Sequence, residues 1–217
     1  MTVNFRGFPL EQVKESKLPV EIPNVVRNDL PNFFKSLGYK KGVEVGVYKG
    51  EFLRILCKGG FEMYGVDPWL EYPDYDDTKV PNFQKQQDDL YNEAVKTLEP
   101  FKNCTLIRKT SMDALKDFPD YSLDFVYIDG HHGFKYVAED LYEWSKKVRE
   151  GGIICGHDYG TFGRKRKSPY CCHVQQVVGA FTSSFRINPW YVLGETHPKP
   201  GERRELWRSW MWFVNDK

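Results

Sequence analysis

The sequence predicts an α/β fold, a single doubly wound sheet that is mainly parallel, with helices on both faces and a closing antiparallel hairpin at the C-terminus. Three observations predict it. Strand-like and helix-like segments alternate along the middle of the chain. The 217 residues suffice for one good core rather than two. The tail breaks the alternation, because "WYVLGE" and "SWMWFVN" flank a Pro/Gly-rich loop as the two arms of a hairpin would.

The elements follow in order. Residues 1–41 are expected to cap one edge of the sheet, with "NDLPNFFKSLGY" as a helix. "KGVEVGV" is a strand ending in glycine, "GEFLRILCKG" a helix closed by Gly59 and Gly60, and "EMYGVD" a second strand ending in an acid. Residues 69–100 form a lid-like insertion. Its aromatic, acidic stretch from Trp69 to Phe83 is punctuated by Pro73 and Pro81, and the helix "FQKQQDDLYNEAVKTLEPF" follows. Then come the strand "CTLIRKT", the short helix "MDALKDF", the strand "SLDFVYID", the helix "GFKYVAEDLYEWSKKVR" and the strand "GGIICGHD". "HVQQVVGAFTSSF" is the last helix, and residues 186–217 make the hairpin. All of 1–217 is read as one domain.

Composition excludes several classes. With 31 basic and 30 acidic residues the net charge is +1, which argues against a surface built to attract nucleic acid or anionic membrane. No apolar run reaches the roughly 18 residues of a membrane span, and the N-terminus shows no signal core, so a soluble, cytoplasmic chain is expected. Five cysteines without C-x-x-C spacing predict reduced, mostly buried thiols. The basic stretch "GRKRKSPYCCH" reads as a solvated loop, and residues 164–167 within it have no assigned role. The Trp/Tyr-rich tail reads as hairpin core.

In open parallel sheets ligands gather at the carboxyl ends of the strands, near the point where the strand order reverses. The first strand end reads Glu44-x-Gly46-x-x-x-Gly50, where glycines admit close backbone approach before a helix starts. Asp67, 23 residues after Glu44, sits where an acid would accept both hydroxyls of a ribose. Neither G-x-G-x-x-G nor the phosphate loop G-x-x-x-x-G-K-S/T occurs, which argues against NAD and ATP.

From Gly42 to Phe181 the chain resembles the class I S-adenosylmethionine-dependent methyltransferases, with their Rossmann-like sheet. Within them it is similar to the metal-dependent small-molecule and sugar O-methyltransferases carrying an IDG-x-H motif. The most specific part is "LDFVYIDGHHGFKYVAEDLYEWSKKVREGGIICGHDY". The resemblance implies S-adenosylmethionine as cofactor, with Glu44 and Gly46 facing its methionyl part, Asp67 its ribose, and Ser111 and Met112 its adenine. Trp69 or Met112 would supply the flat apolar wall that adenine needs. Asp129 is counted on both the cofactor and the metal.

Methyl transfer to an alcohol requires loss of the hydroxyl proton, helped by a divalent metal, a base, or both. Asp129 and Asp158 end neighbouring strands, so both carboxylates are expected in one crevice, as in the related metal-dependent enzymes. His132 matches the position of the family's histidine base, and His131 is then a bystander or substrate contact. His157 stands where the relatives carry a second acid. An Asp129, His157, Asp158 set shifts the choice from magnesium towards manganese, iron or another transition metal. The expected partner is a small-molecule or glycan acceptor, with homo-oligomerisation left open. Two alternatives stand beside this reading. A nucleic-acid methyltransferase is opposed by the lack of a D/N/S-P-P-Y/F/W signature at "IDGHH". A cofactor-binding or hydroxylase-like relative would keep the fold without methyl transfer.

Overall fold

The computed structural model describes residues 3–10, 19–72, 83–160 and 172–215. A short hairpin, β1 (Asn4–Phe5) and β2 (Phe8–Pro9), precedes β3 (Val20–Ile22), a 3-10 turn (Arg27–Asp29) and α1 (Leu30–Ser36). The alternating part comprises β4 (Lys41–Val45), α2 (Glu51–Lys58), β5 (Glu62–Val66), α3 (Gln84–Leu98), β6 (Cys104–Ile107), α4 (Ser111–Ala114), β7 (Leu123–Ile128), α5 (Phe134–Trp144) and β8 (Val148–Tyr159). It ends with α6 (Val174–Ser184), β9 (Tyr191–Leu193) and β10 (Arg208–Phe213).

Eight strands form one sheet in the order β3-β9-β10-β8-β7-β4-β5-β6. Strands β4 to β8 pair in parallel, whereas β10 runs antiparallel to both β8 and β9. The chain builds outward from β4 through β5 to β6, then returns to lay β7 on the other side of β4. The strand order therefore reverses between β4 and β7, and a crevice opens above their carboxyl ends.

Side-chain alternation along β7 explains why both faces are covered. Phe125 and Tyr127 join the cluster containing Phe34, Phe52 and Leu53 from α1 and α2. Leu123, Val126 and Ile128 join the cluster containing Val137, Leu141 and Val177 from α5 and α6. Successive residues of a strand point to opposite faces, so the apolar run from Phe125 to Ile128 needs helices on each side, and the register shift between Leu123 and Phe125 puts Leu123 outside this alternation. Phe125 stacks on Phe34 at 4.3 Å and meets Phe61 edge-on at 5.4 Å. Its ring fills the space that a Cβ on Gly42 would take. Truncating such a ring leaves a cavity and costs about 3–5 kcal/mol.

Two elements differ from the sequence expectation. The N-terminal segment is more than a helical cap, since Val20–Ile22 pairs in parallel with β9 and completes the sheet edge. Three short residues in strand conformation carry too little periodicity to be seen in the sequence. The helix expected to run to Arg149 ends at Trp144, and Val148 already pairs with Leu123 in β8. The tail forms hairpin core as expected, with Trp190, Tyr191, Trp210 and Trp212 buried. Cys57, Cys155 and Cys172 are buried and Cys104 is half-buried. Residues 73–82 of the expected lid, and the basic loop at 164–167, lie outside the described residues. Among the described residues no helix is long and apolar enough to cross a membrane.

Candidate functional site

The turn after β4 is built from backbone. Gly46 adopts φ +89°, and a Cβ there would overlap the backbone of Asp129 and Gly130 on the neighbouring strand end. Its amide bonds Val66 O at 2.8 Å, and Gly50, also left-handed, closes the turn onto Val47 O before α2 begins. Both glycines are thus required by conformation, and Gly46 by contact as well.

Asp67 ends β5 and grips this turn. One carboxylate oxygen accepts from Val47 N at 2.9 Å and Tyr48 N at 3.0 Å, the other from Trp69 N at 2.8 Å. Burial raises its pKa, while those three amides and Arg108 pull it back. A carboxylate offers about four acceptor directions, so roughly one remains, fewer than the two ribose hydroxyls that the spacing predicts would need. Asp67 is a brace of the turn in this structure.

Glu44 is 2% exposed, and its Oε2 has no hydrogen-bond partner among the described residues. Burial, then the neighbouring Asp129 charge, holds its pKa well above the usual carboxylate range. An orphaned carboxylate beneath a glycine cradle fits a ligand that brings a positive charge or a donor.

The residues expected around adenine lie against α3 and α5. Trp69 is 1% exposed, donates Nε1–H to Tyr48 O at 2.9 Å and packs edge-on against Tyr91, so its ring belongs to the core and offers no open face. Ser111 turns its hydroxyl towards α5, donating to Asp140 and accepting from Trp144 Nε1. Met112 lines a shallow groove with Leu115, Ala138 and Tyr142. The sequence reading missed Asp140, whose pKa burial pushes up to about 7. An aspartate four residues before a helix-core tryptophan gives no signal of its own; only the packing of α4 on α5 buries it.

The charged half of the crevice lies over β7 and β8. Asp129 N bonds Val45 O at 2.7 Å, locking this strand end to the β4 turn. His132 Nε2 lies 3.1 Å from Asp158 Oδ2 and 3.7 Å from Asp129 Oδ1. His157 Nδ1 lies 3.2 Å from the same Asp158 oxygen and 3.9 Å from Asp129 Oδ1. The main chain is tied at both histidines, His132 O accepting from His173 N at 2.9 Å and His157 O from Trp210 Nε1 at 3.0 Å. Asp158 holds a left-handed φ of +58°. Burial alone would lower the His132 pKa, but hydrogen bonds to Asp129 and Asp158 push it up to about 10. Against the burial of its carboxylate, the two histidines hold Asp158 well below the usual range, while burial raises Asp129.

One ligand atom each from Asp129, His132 and Asp158 lie within 4.8 Å of one another. Ligands about 2.0–2.4 Å from a shared divalent ion fall within that separation, so the donor set fits one. His157, which the sequence reading counted among the ligands, lies at similar distances from both carboxylates. His131, by contrast, packs on Tyr136 at 3.9 Å and accepts from Gly133 N. Arg27, also missed, comes from the N-terminal segment and reaches Asp129 Oδ2 at 3.5 Å. A lone arginine 102 residues distant carries no local pattern.

Comparison with known proteins follows this geometry. The methyltransferase-domain family matches the chain over residues 43–159, from β4 through β8. The O-methyltransferase from Bacillus cereus, solved in complex with S-adenosylhomocysteine, is 14% identical, with 95% of this chain and 84% of that one covered at a TM-score of 0.58. The O-methyltransferase TomG from Streptomyces achromogenes, involved in tomaymycin synthesis and solved with S-adenosylmethionine, is 11% identical over 87% and 79% of the chains, with a TM-score of 0.59. An rRNA methylase from Streptococcus thermophilus is 10% identical over 82% and 88%, with a TM-score of 0.55. At such identities the likeness is one of fold, shared by enzymes with unlike acceptors. The uncharacterized protein y4gI of Sinorhizobium fredii is 36% identical over 53 residues, which span 24% of this chain and 6% of that protein.

Proposed function

The chain belongs to the methyltransferase-domain family, of the class I S-adenosylmethionine-dependent fold, and we propose that it methylates a hydroxyl of a small molecule or sugar with a divalent metal in the crevice. The observation that carries the metal-assisted reading is the Asp129, His132 and Asp158 cluster, one strand away from the glycine turn that would seat the cofactor. Glu44 and Gly46 receive the methionyl end of S-adenosylmethionine, and Asp67 shapes the turn around its ribose. Asp129, His132 and Asp158 hold the metal, which when bound lowers the pKa of an acceptor hydroxyl.

The chain's own residues do the rest. The backbone lock between Asp129 and Val45 keeps cofactor and acceptor halves in one register. His157, with Nδ1 against Asp158 and Nε2 lacking a partner among the described residues, takes the hydroxyl proton. Manganese suits a mixed imidazole and carboxylate set at least as well as magnesium. A nucleic-acid acceptor remains the alternative of the same fold, with no observation favouring it.

The test is release of S-adenosylhomocysteine from S-adenosylmethionine across a panel of sugar and phenol acceptors, before and after chelation. Turnover that disappears with chelator and returns with manganese or magnesium supports the reading. Turnover indifferent to chelator, and unchanged in Asp129→Asn, removes the metal from it.

A further inference from the structure

The guanidinium of Arg27 is held from three sides at the edge of the crevice. Glu205 accepts from Arg27 N at 2.9 Å and lies 3.3 Å from Nε. The Phe52 ring, in the first turn of α2, lies beneath the guanidinium with its centroid 5.1 Å away. Nη1 faces Asp129 Oδ2 at 3.5 Å, and the Tyr127 hydroxyl is within its reach. The 3-10 turn carrying Arg27 is itself pinned, because Asp29 accepts from Val26 N and pairs with Arg6 and Arg203. A long cation tethered this way has lost its rotamer freedom before any ligand arrives. Its fork has five N–H donors, more than Glu205, Asp129 and Tyr127 take.

The direction it faces decides what it is for. Asp129 turns Oδ1 to the two histidines and Oδ2 to Arg27, so the arginine takes the carboxylate oxygen that the histidines leave. Phe52 lies beneath it, and the Glu44 carboxyl group feels the charges of Asp129 and Arg27. Glu44 Oε2 is buried without a hydrogen-bond partner among the described residues. A buried carboxyl group with an oxygen left over, and a fixed cation close enough to act on it, match the two ends of an amino-acid zwitterion.

We infer that Arg27 binds the α-carboxylate of the cofactor's methionyl end, while Glu44 receives its α-ammonium. The inference rests on the cofactor reading above and adds to it a residue from outside the segment that the family match covers. A planar fork meets a carboxylate through paired N–H bonds, each charge-assisted.

Calorimetry on the full chain tests it with ligands that differ only at that end. S-adenosylhomocysteine carries both charges, its decarboxylated analogue keeps only the ammonium, and 5′-methylthioadenosine has neither. In wild type the decarboxylated analogue should bind about 10-fold or more weaker than S-adenosylhomocysteine. Arg27→Ala should weaken S-adenosylhomocysteine by a similar factor and leave 5′-methylthioadenosine within threefold, which also certifies the fold; Arg27→Lys should fall between. Equal weakening of all three ligands, or none, overturns the inference, as does wild type that ignores the missing carboxylate. Wild type that binds none of the ligands overturns the cofactor reading and this inference with it.

Discussion

The two halves of the crevice are held by different physics. Over β4 and β5 the shape is set by backbone: a left-handed Gly46 against the Asp129 backbone, and a carboxylate collecting three amides. Over β7 and β8 it is set by buried ionisable side chains that hold one another's charge. The first half owes its geometry to sterics and to amides that do not titrate. The second depends on protons or a metal, so chelation should act on it alone.

The strongest way to break the contrast is Gly46→Ala. Its Cβ meets backbone that cannot step aside, and the φ of +89° is strained for any residue with a side chain. Cofactor affinity should fall at least 100-fold, about 2.7 kcal/mol, by calorimetry, with divalent-ion binding retained. Affinity within threefold of wild type would mean that the turn does not seat the cofactor.

Asp140 sharpens the charged side. Its folded-state pKa of about 7 stands above the ordinary 3.8, so the folded chain binds this proton more tightly than the unfolded one. The stabilisation is complete below about pH 4 and is lost as pH rises through about 7. Asp140→Asn cannot titrate. Urea unfolding should therefore show wild type losing on the order of a few kcal/mol more than the variant between pH 4 and pH 8. Parallel pH profiles would show that Asp140 does not hold its proton.

A smaller effect is expected of Asp67→Asn. The amide keeps one acceptor oxygen for three donors, so about 1–2 kcal/mol of stability should go, with cofactor affinity falling roughly 10-fold as the turn loosens. Unaltered melting together with severely weakened binding would return Asp67 to a direct ribose contact.

What was legible in the sequence divides along the same line. The alternation of β4 to β8, the glycine turn and the pairing of Asp129 with Asp158 are local patterns or consequences of parallel strands, and they could be read. Ser111 and Met112 were assigned to adenine by the family resemblance, and their side chains meet α5, which no local pattern specifies. Trp69 is an aromatic whose burial depends on Tyr91, 22 residues on. Arg27 and β3 reach the sheet through contacts with the C-terminal hairpin, so their roles exist only after the chain closes. His132 and His157 lie at similar distances from both carboxylates, and spacing along a strand does not order them.

The central claim is that the charged half is a metal site, and manganese binding tests it directly. Electron paramagnetic resonance should show one tightly held manganese per wild-type chain and none in Asp158→Asn, while calorimetry finds S-adenosylhomocysteine affinity unchanged within threefold. Manganese bound equally by the variant, or not held by wild type, would contradict the assignment of Asp129, His132 and Asp158 as ligands.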